Sequence, residues 1–334
     1  MDNYPVSVII SIFRELKYVD KCINSLISQT FQSFELILID DHGCDGAFEK
    51  AKKLIEKSII APRCRYISHD KNLGIAASRN RGLAEAKGEY IIYLDSDDYF
   101  ETNLLEELYL SAGKYKADLV ISDFTREFSE EISVYAKDTF DQESISEEKD
   151  KLKYIEQMLT AKKGCALWNK LIKRKLLLDN EIHFYDNMRD DLSVSPIMVY
   201  CATVIAFVPL PLTHFVQYNS NSGTYSFSHL PFVGNALVHL EKFFNKKGVD
   251  FRDVLLKYKA NTKRKMLLHP NPEMKREAML ALFPEVDKAI LKGGRLEPKI
   301  QYQLLLWLAA MNNKIPFIFY RAIIFSLLRL KRSF

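Results

Sequence analysis

Residues 86–98 read Ala-Lys-Gly-Glu-Tyr-Ile-Ile-Tyr-Leu-Asp-Ser-Asp-Asp, and this stretch decides the fold class. Glu89–Leu94 is a nearly unbroken run of aliphatic and aromatic side chains after a glycine, the pattern of a strand buried on both faces of a parallel sheet. It runs directly into Asp95, Asp97 and Asp98. Ligands of open α/β sheets bind beyond the carboxyl ends of the strands, so a site is expected here. Asp95 and Asp97 lie two apart on an extended segment and point to one side, where both can reach one ligand. Capping of the next helix is the alternative use of such carboxylates.

The same grammar repeats outward. Val6–Ile12 is an apolar strand, and Val19, Cys22, Ile23, Leu26 and Ile27 follow at helical spacing. Phe34–Ile39 is a second strand ending in Asp40-Asp41 and a glycine-containing turn, with helical sequence to about Lys57. Arg65–Ser68 is a short strand, Ala76–Ala86 a helix interrupted by Gly82, and Leu119–Ser122 another strand. Strand–helix units over the first hundred residues define an α/β fold, a sheet with helices on both faces. Thr125–Lys149 is polar and reads as a loop or edge excursion. Trp168–Leu178 mixes basic and apolar residues, Leu192–Tyr200 reads as a helix, and Val204–Val208 as a late strand. From about Pro231 the pattern turns to long helical segments. The expected division is therefore 1–225 and 226–334, the first part having halves of about 1–100 and 101–225.

The 334 residues are 48% hydrophobic and 27% charged, with 12 Gly and 11 Pro, which excludes disorder, collagen-like repeats and a small disulfide scaffold. Five widely spaced cysteines without a CxxC indicate buried thiols in a reducing compartment, not a zinc site. The opening MDNYPVSVIIS has no basic region and is expected to be a strand, not a signal peptide. The net charge of +4 is unevenly spread: residues 1–240 carry −8 and residues 241–334 carry +12. A basic end also rich in Leu, Ile and Phe fits an anionic membrane better than nucleic acid, and no nucleic-acid partner is expected. Residues 315–330, IPFIFYRAIIFSLLRL, precede Lys331-Arg332. The run is shorter than the roughly 20 residues that span a bilayer. It suits a helix lying in a membrane surface; packing on the protein or a homodimer contact is the alternative.

Carboxylates at a strand end suit Mn²⁺ or Mg²⁺, with substrate phosphates completing the shell. GxxxxGK[ST] is absent, and no GxGxxG follows the first strand, which argues against P-loop and dinucleotide sites. A metal–diphosphate site without a P-loop points to a nucleotide-activated substrate whose diphosphate leaving group the metal would neutralise. Asp190-Asp191, before the Leu192–Tyr200 helix, is the candidate pair for a general base; a helix cap is the alternative.

With these residues in view, the chain resembles the inverting, GT-A-fold glycosyltransferases of family 2, which build bacterial capsular polysaccharide, lipopolysaccharide and other surface glycans. The resemblance rests on Val6–Phe13, Ser25–Phe31, Phe34–Asp41, Asn72–Asn80, Ala86–Asp98, Trp168–Leu171 and Asp190-Asp191, in the family's order across about residues 5–220. It implies a GT-A catalytic domain, a Rossmann-like mixed sheet flanked by helices, with a helical C-terminal extension. It implies a UDP-sugar donor and a glycan or lipid-linked acceptor. It also implies residue roles. Phe13 would stack on uracil, the backbone around Ser11 would hold the base, and Asp41 would accept from its N3. Asp95 would contact the ribose, Asp97 would ligate the metal, and Arg79 would steady the phosphates or the fold around them. Asp191 would deprotonate the acceptor hydroxyl, with Trp168 and Asp190 as acceptor-side candidates. Trp168 has core filling as its alternative role. The chain departs from the family with His42-Gly43-Cys44-Asp45 in place of Gly-Ser-x-Asp, Arg14 where Asn is common, and Asp190 where Glu is usual. His183 and His214 read as structural. Gln217–Ser226 would suit a loop closing over the donor. The implied location is cytoplasmic, peripheral on the inner face of the cytoplasmic membrane. A nucleotidyltransferase would bring a glycine-rich loop that is absent here, and the intact aspartates argue against a non-catalytic glycan-binding scaffold.

Overall fold

The structure is a computed structural model that describes residues 4–219, 230–268 and 282–311, with Tyr320, Ile323 and Ile324. Residues 220–226 of the expected donor loop, and the 312–334 tail apart from those three positions, lie outside the described residues. The chain divides into two compact units, Met1–Phe227 and Ser228–Phe334.

In the first unit, strands β1 (Val6–Ile12), β2 (Phe34–Asp40), β3 (Cys64–Ser68) and β4 (Tyr90–Asp95) alternate with helices α1 (Val19–Ile27), α2 (Ala47–Glu56) and α3 (Ile75–Glu85). The chain continues through β5 (Tyr99–Phe100), α4 (Leu104–Tyr115), β6 (Leu119–Glu127), β7 (Ser133–Ala136), β8 (Ser144–Ile145) and α5 (Glu148–Leu159). Then come β9 (Lys170–Lys173), α6 (Arg174–Asp179), α7 (Asp190–Cys201) and β10 (Ile205–Val216). One mixed sheet runs β3-β2-β1-β4-β9-β6-β10-β5, with β7 on β6 and β8 on β10. The first four strands are parallel, and β9 lies antiparallel between β4 and β6. β10 runs parallel to β6, and β5 antiparallel to β10.

β1, β2 and β4 are apolar because both faces are covered: Val8, Ile10, Leu36, Leu38 and Ile92 on one face, and Ile9, Ile37 and Ile91 on the other, are at most 1% exposed. Gly82, which interrupts the helical pattern, lets α3 lie close on the sheet, since a Cβ there would meet Ile9 Cγ2 at 2.3 Å. The register sets Ser11 between Ile39 and Asp95, and Ile12 beside Asp40, so the carboxyl ends of β1, β2 and β4 finish level. Near the other ends of these strands, a buried network ties them together. Ser7 Oγ donates to Glu35 Oε1 at 2.6 Å and accepts from Gly88 N at 2.8 Å, while Arg65 donates to Glu35 Oε2 at 2.7 Å.

Two expectations change. Thr125–Lys149 is not only a loop: β6 extends to Glu127, and β7 and β8 pair with β6 and β10. β10 runs well past Val208, because register shifts around Pro211 accommodate prolines that cannot donate to a ladder.

The second unit holds α8 (Leu230–Lys246), α9 (Arg252–Leu267), α10 (Pro284–Leu291) and α11 (Ile300–Ala310). Its buried lysines are paired. Lys259 Nζ lies 2.9 Å from Glu241 and 2.8 Å from Glu285, and Lys263 Nζ lies 2.7 Å from Asp287.

A methyl group at Gly88 would meet the backbone nitrogen of Ser7 at 2.6 Å and the carbonyl of Tyr90 at 2.8 Å, neither of which can step aside. Gly113, in α4, has open space around it. Gly88→Ala should therefore destabilise by about 1–3 kcal/mol, and Gly113→Ala should stabilise by about 0.5–1 kcal/mol. Urea unfolding of the two variants checks the pair; equal midpoints would refute it.

Candidate active site

The level strand ends create a concentration of carboxylates, and the structure sorts them by partner. Asp40 Oδ1 accepts from His42 N at 2.9 Å and Gly43 N at 3.4 Å, so it shapes its own turn. Gly43 is required there: a Cβ would come within 2.7 Å of Arg14 N. His42 and Cys44 flank it at φ of 59° and 57°, a left-handed conformation uncommon for such residues. Asp45 accepts from Leu16 N at 3.0 Å and Ala47 N at 3.1 Å, joining the Phe13–Leu16 turn to the start of α2.

Asp41 is 2% exposed. Its Oδ1 accepts from Leu73 N at 2.9 Å and lies 3.0 Å from His69 Nδ1, and its Oδ2 accepts from Gly74 N at 2.9 Å. The carboxylate thus closes the N-terminus of α3 from the end of β2, a placement the helix dipole favours. Phe13 is 36% exposed beside it, with the Arg14 guanidinium 5.0 Å from the ring centroid.

After β4 the side chains alternate: Asp95 and Asp97 are partly open, while Ser96 and Asp98 are buried. Asp98 Oδ1 accepts from Val216 N at 2.8 Å, locking the turn to the end of β10. Its Oδ2 has no hydrogen-bond partner, and burial pushes its carboxyl well above the usual range, helped by the charges of Asp97 and Asp95. Asp97 Oδ2 accepts from the Asn219 side-chain amide at 2.9 Å, and the same Nδ2 donates to Glu15 Oε2 at 2.9 Å. Burial, reinforced by neighbouring negative charge, pushes Asp97 up to about 6 and Glu15 up to about 8. Glu15 and Asn219 lie 204 residues apart, and sequence reasoning missed both. The only available signals were that Glu15 lies two residues after Phe13 and that Asn219 falls inside the expected donor loop, Gln217–Ser226.

Arg79 connects the two halves. It is 6% exposed on α3, its Nη2 donates to Asp95 Oδ1 at 2.7 Å, and its Nη1 donates to Asp190 Oδ2 at the start of α7. Asn80 reinforces the link, donating to Phe184 O at 2.8 Å and accepting from Phe184 N at 3.0 Å. Arg79, Asp95 and Asp190, all expected at the site, are therefore brought together. Asp191 points elsewhere. Its carboxylate lies 3.0 Å from Arg189 Nε and accepts from Leu192 N at 2.7 Å. Burial opposes its ionisation, but the Arg189 and Arg79 charges and these hydrogen bonds hold it below the usual carboxylate range.

Trp168 is not on the site surface. It is 5% exposed and packed on Phe124 (4.8 Å between centroids) and Phe215 (5.3 Å), so core filling describes it. The neighbouring Lys170 is fully buried, donating to Ala166 O at 2.7 Å and Asn169 Oδ1 at 2.9 Å. His214 is structural, stacked 4.2 Å from Tyr99 between Glu127 (2.9 Å) and Glu101 (2.7 Å).

A divalent cation fits this chemistry. Among the described residues, no group of three or more His, Cys, Asp or Glu side chains is arranged to hold a metal alone. Asp97 offers oxygen ligands in a locally negative pocket whose bridging partner is a neutral amide. One or two carboxylates plus substrate phosphates are a usual Mg²⁺-type shell.

Carboxylates at the strand ends and a second carboxylate pair at the start of α7 make up the candidate site, and the comparisons give the class of protein. The chain belongs to glycosyl transferase family 2, whose family model matches residues 7–178, and it is a glycosyltransferase. It is 34% identical over 267 residues to a cholesterol galactosyltransferase of Borreliella burgdorferi, covering 74% of this chain and 69% of that protein. It is 29% identical over 213 residues to glycosyltransferase GlyG of Streptococcus pneumoniae, covering 61% of this chain and 67% of that one. The fold is that of S. aureus TarS 1–349 crystallised with UDP-GlcNAc: TM-score 0.66, 17% identity, 98% of this chain and 92% of that one. The expected GT-A architecture is thus observed.

Removing the Arg79 cation should leave Asp95 and Asp190 uncompensated. Arg79→Met is expected to cost about 3–5 kcal/mol in stability. Adding Asp190→Asn should restore part of the loss. Denaturant unfolding of the single and double variants measures this; simple additivity would mean the pair is not coupled.

Proposed function

We propose that the protein is a metal-dependent, inverting glycosyltransferase. It would move a hexose or N-acetylhexosamine from a UDP-sugar to a hydroxyl of a glycan or lipid-linked acceptor in bacterial surface polysaccharide synthesis. The observation that carries this reading is the split of the acidic cluster. Asp95 and Asp97 stay partly open at the end of β4, Asp191 stands separately on α7, and Arg79 fixes one side to the other. That is the disposition a donor diphosphate and an acceptor base require.

In this mechanism Phe13 stacks on uracil, and the Ser11 backbone and Asp41 lie at the base. Asp41 already serves three donors, so its contact to N3 would use remaining lone-pair capacity. Asp95, oriented by Arg79, meets the ribose. Asp97 would hold Mn²⁺ or Mg²⁺, which when bound supplies positive charge to the diphosphate. Asp191 takes the acceptor proton. It suits this better than Asp190: both carboxylates are paired, but the partner of Asp191, Arg189, is an exposed side chain that can swing away, whereas Asp190 is held by the buried Arg79. The Arg189 and Arg79 charges keep Asp191 ionised but lower its basicity, so moving Arg189 aside on acceptor binding would raise its proton affinity. The attacking oxygen approaches from the face opposite the diphosphate, which inverts the anomeric carbon.

The galactosyltransferase relative supports a hexosyl donor and a lipid hydroxyl as acceptor. Among the described residues no helix is long and apolar enough to cross a membrane. The proposed location is the inner face of the cytoplasmic membrane, reached through the basic C-terminal region.

The test is turnover of a panel of UDP-, GDP- and dTDP-sugars with Mn²⁺ or Mg²⁺. One UDP-sugar should be consumed. Asp97→Ala should abolish metal-dependent UDP binding. Asp191→Asn should lower transfer by about 10²–10⁴-fold while leaving UDP binding intact. Loss of UDP binding in Asp191→Asn would place that residue on the donor side and sink its assignment as the base.

A further inference from the structure

Helix α11 contains no charged residue: Ile300–Ala310 reads IQYQLLLWLAA. Leu305, Leu306 and Ala309 form its buried side. On another side, Ile300 (82% exposed), Leu304 (39%) and Trp307 (40%) are open, and Met311 (48%) follows at the helix end. Their spacing places all four on one stripe. Single exposed apolar residues are ordinary, but an aligned row of four with a tryptophan at its centre marks an interaction surface.

The surrounding charge identifies the partner. Between residues 288 and 311 the exposed charged side chains are Lys288, Lys292, Arg295 and Lys299. The one carboxylate in the helix-to-helix connection, Glu297, is 6% exposed and lies 2.9 Å from Arg264 Nε. The sequence beyond, 312–334, carries five Lys or Arg and no Asp or Glu. A second copy meeting this face across a two-fold axis would set like charges against one another. An anionic bilayer complements both features. Apolar side chains enter the headgroup–acyl boundary, tryptophan favours that boundary, and the cations face the lipid phosphates.

We propose that the Ile300–Leu304–Trp307–Met311 stripe is a docking surface for anionic membrane lipid. The inference rests on the reading above only in placing the enzyme at a membrane, and vesicle binding is scored without any donor sugar. Failure here would therefore leave the transferase assignment standing, and the reverse also holds.

The experiment uses the purified full chain with phosphatidylglycerol-containing vesicles and with phosphatidylcholine vesicles. The chain has two tryptophans, and Trp168 is 5% exposed in the core, so a change in emission reports Trp307. The expected result is co-sedimentation with the anionic vesicles, weakened by salt, with a blue shift of emission. Leu304→Ser with Trp307→Ser should weaken binding by about tenfold or more. Lys292→Glu with Lys299→Glu should weaken it by a similar factor on the anionic vesicles only. All four positions are exposed, and unchanged thermal melts would confirm intact folding. Vesicle binding equal to wild type in both double variants would overturn the proposal, as would no wild-type binding to anionic vesicles. Loss of self-association with unchanged vesicle binding would also overturn it and make a second copy the occupant.

Discussion

A buried guanidinium holds the catalytic unit together. Arg79 reaches Asp95 at the end of β4 with one nitrogen and Asp190 at the start of α7 with the other. The two carboxylates belong to segments almost a hundred residues apart in sequence, and without a cation between them they would repel. A planar fork fixes both distance and direction, which a lysine on a flexible stem cannot. Asn80, the next residue on α3, clamps Phe184 through both its donor and its acceptor, so one turn of helix orients the whole approach to α7. Gly82 completes the arrangement by letting that helix lie against Ile9.

The acidic strand ends divide along the same line. Asp40, Asp41, Asp45 and Asp98 accept from backbone amides and build turns or helix starts. Asp95 and Asp97 bond side chains, those of Arg79 and Asn219, and Asp191 pairs with Arg189 as well as accepting from Leu192 N. The division follows from local geometry. β4 ends at Asp95, and Asp95–Asp98 is a turn closed by Asp98 N donating to Asp95 O at 3.0 Å, which turns Asp98 inward and leaves Asp95 and Asp97 partly open, so the two are not neighbours on one face of an extended segment. These seven aspartates look alike in the sequence; folding sorts them by partner.

The legible parts of the sequence were those with strong local pattern. β1, β2 and β4 are buried on both faces and read as apolar runs, and α1 carries its buried residues at helical spacing. The short strands were not legible, because β5, β7, β8 and β9 are two to four residues long and exist through their partners. β9 was further disguised by Lys170, whose charge suggests a surface but which is buried among carbonyls and Asn169. At the site, Asp95, Arg79 and Asp190 were named and are found joined. Trp168 was misplaced because a tryptophan beside polar neighbours reads equally well as a sugar platform or as core. Glu15 and Asn219 had no local pattern at all; only the return of β10 to the β1 end brings them together.

That last pairing leaves a local excess of negative charge. Glu15 and Asp97 converge on one amide nitrogen, a neutral group that satisfies hydrogen bonds but compensates no charge. Burial first, and neighbouring carboxylate charge second, push both carboxyls upward against the lowering effect of that hydrogen bond, and the buried Asp98 is pushed in the same direction. A ligand carrying only negative charge would worsen this balance. One that arrives with a divalent cation would relieve it, replacing a neutral contact at Asp97 by a charged one and screening the diphosphate from the same carboxylates. On the proposed reading, metal and diphosphate would therefore favour each other's binding at these residues, as a nucleotide-sugar donor requires.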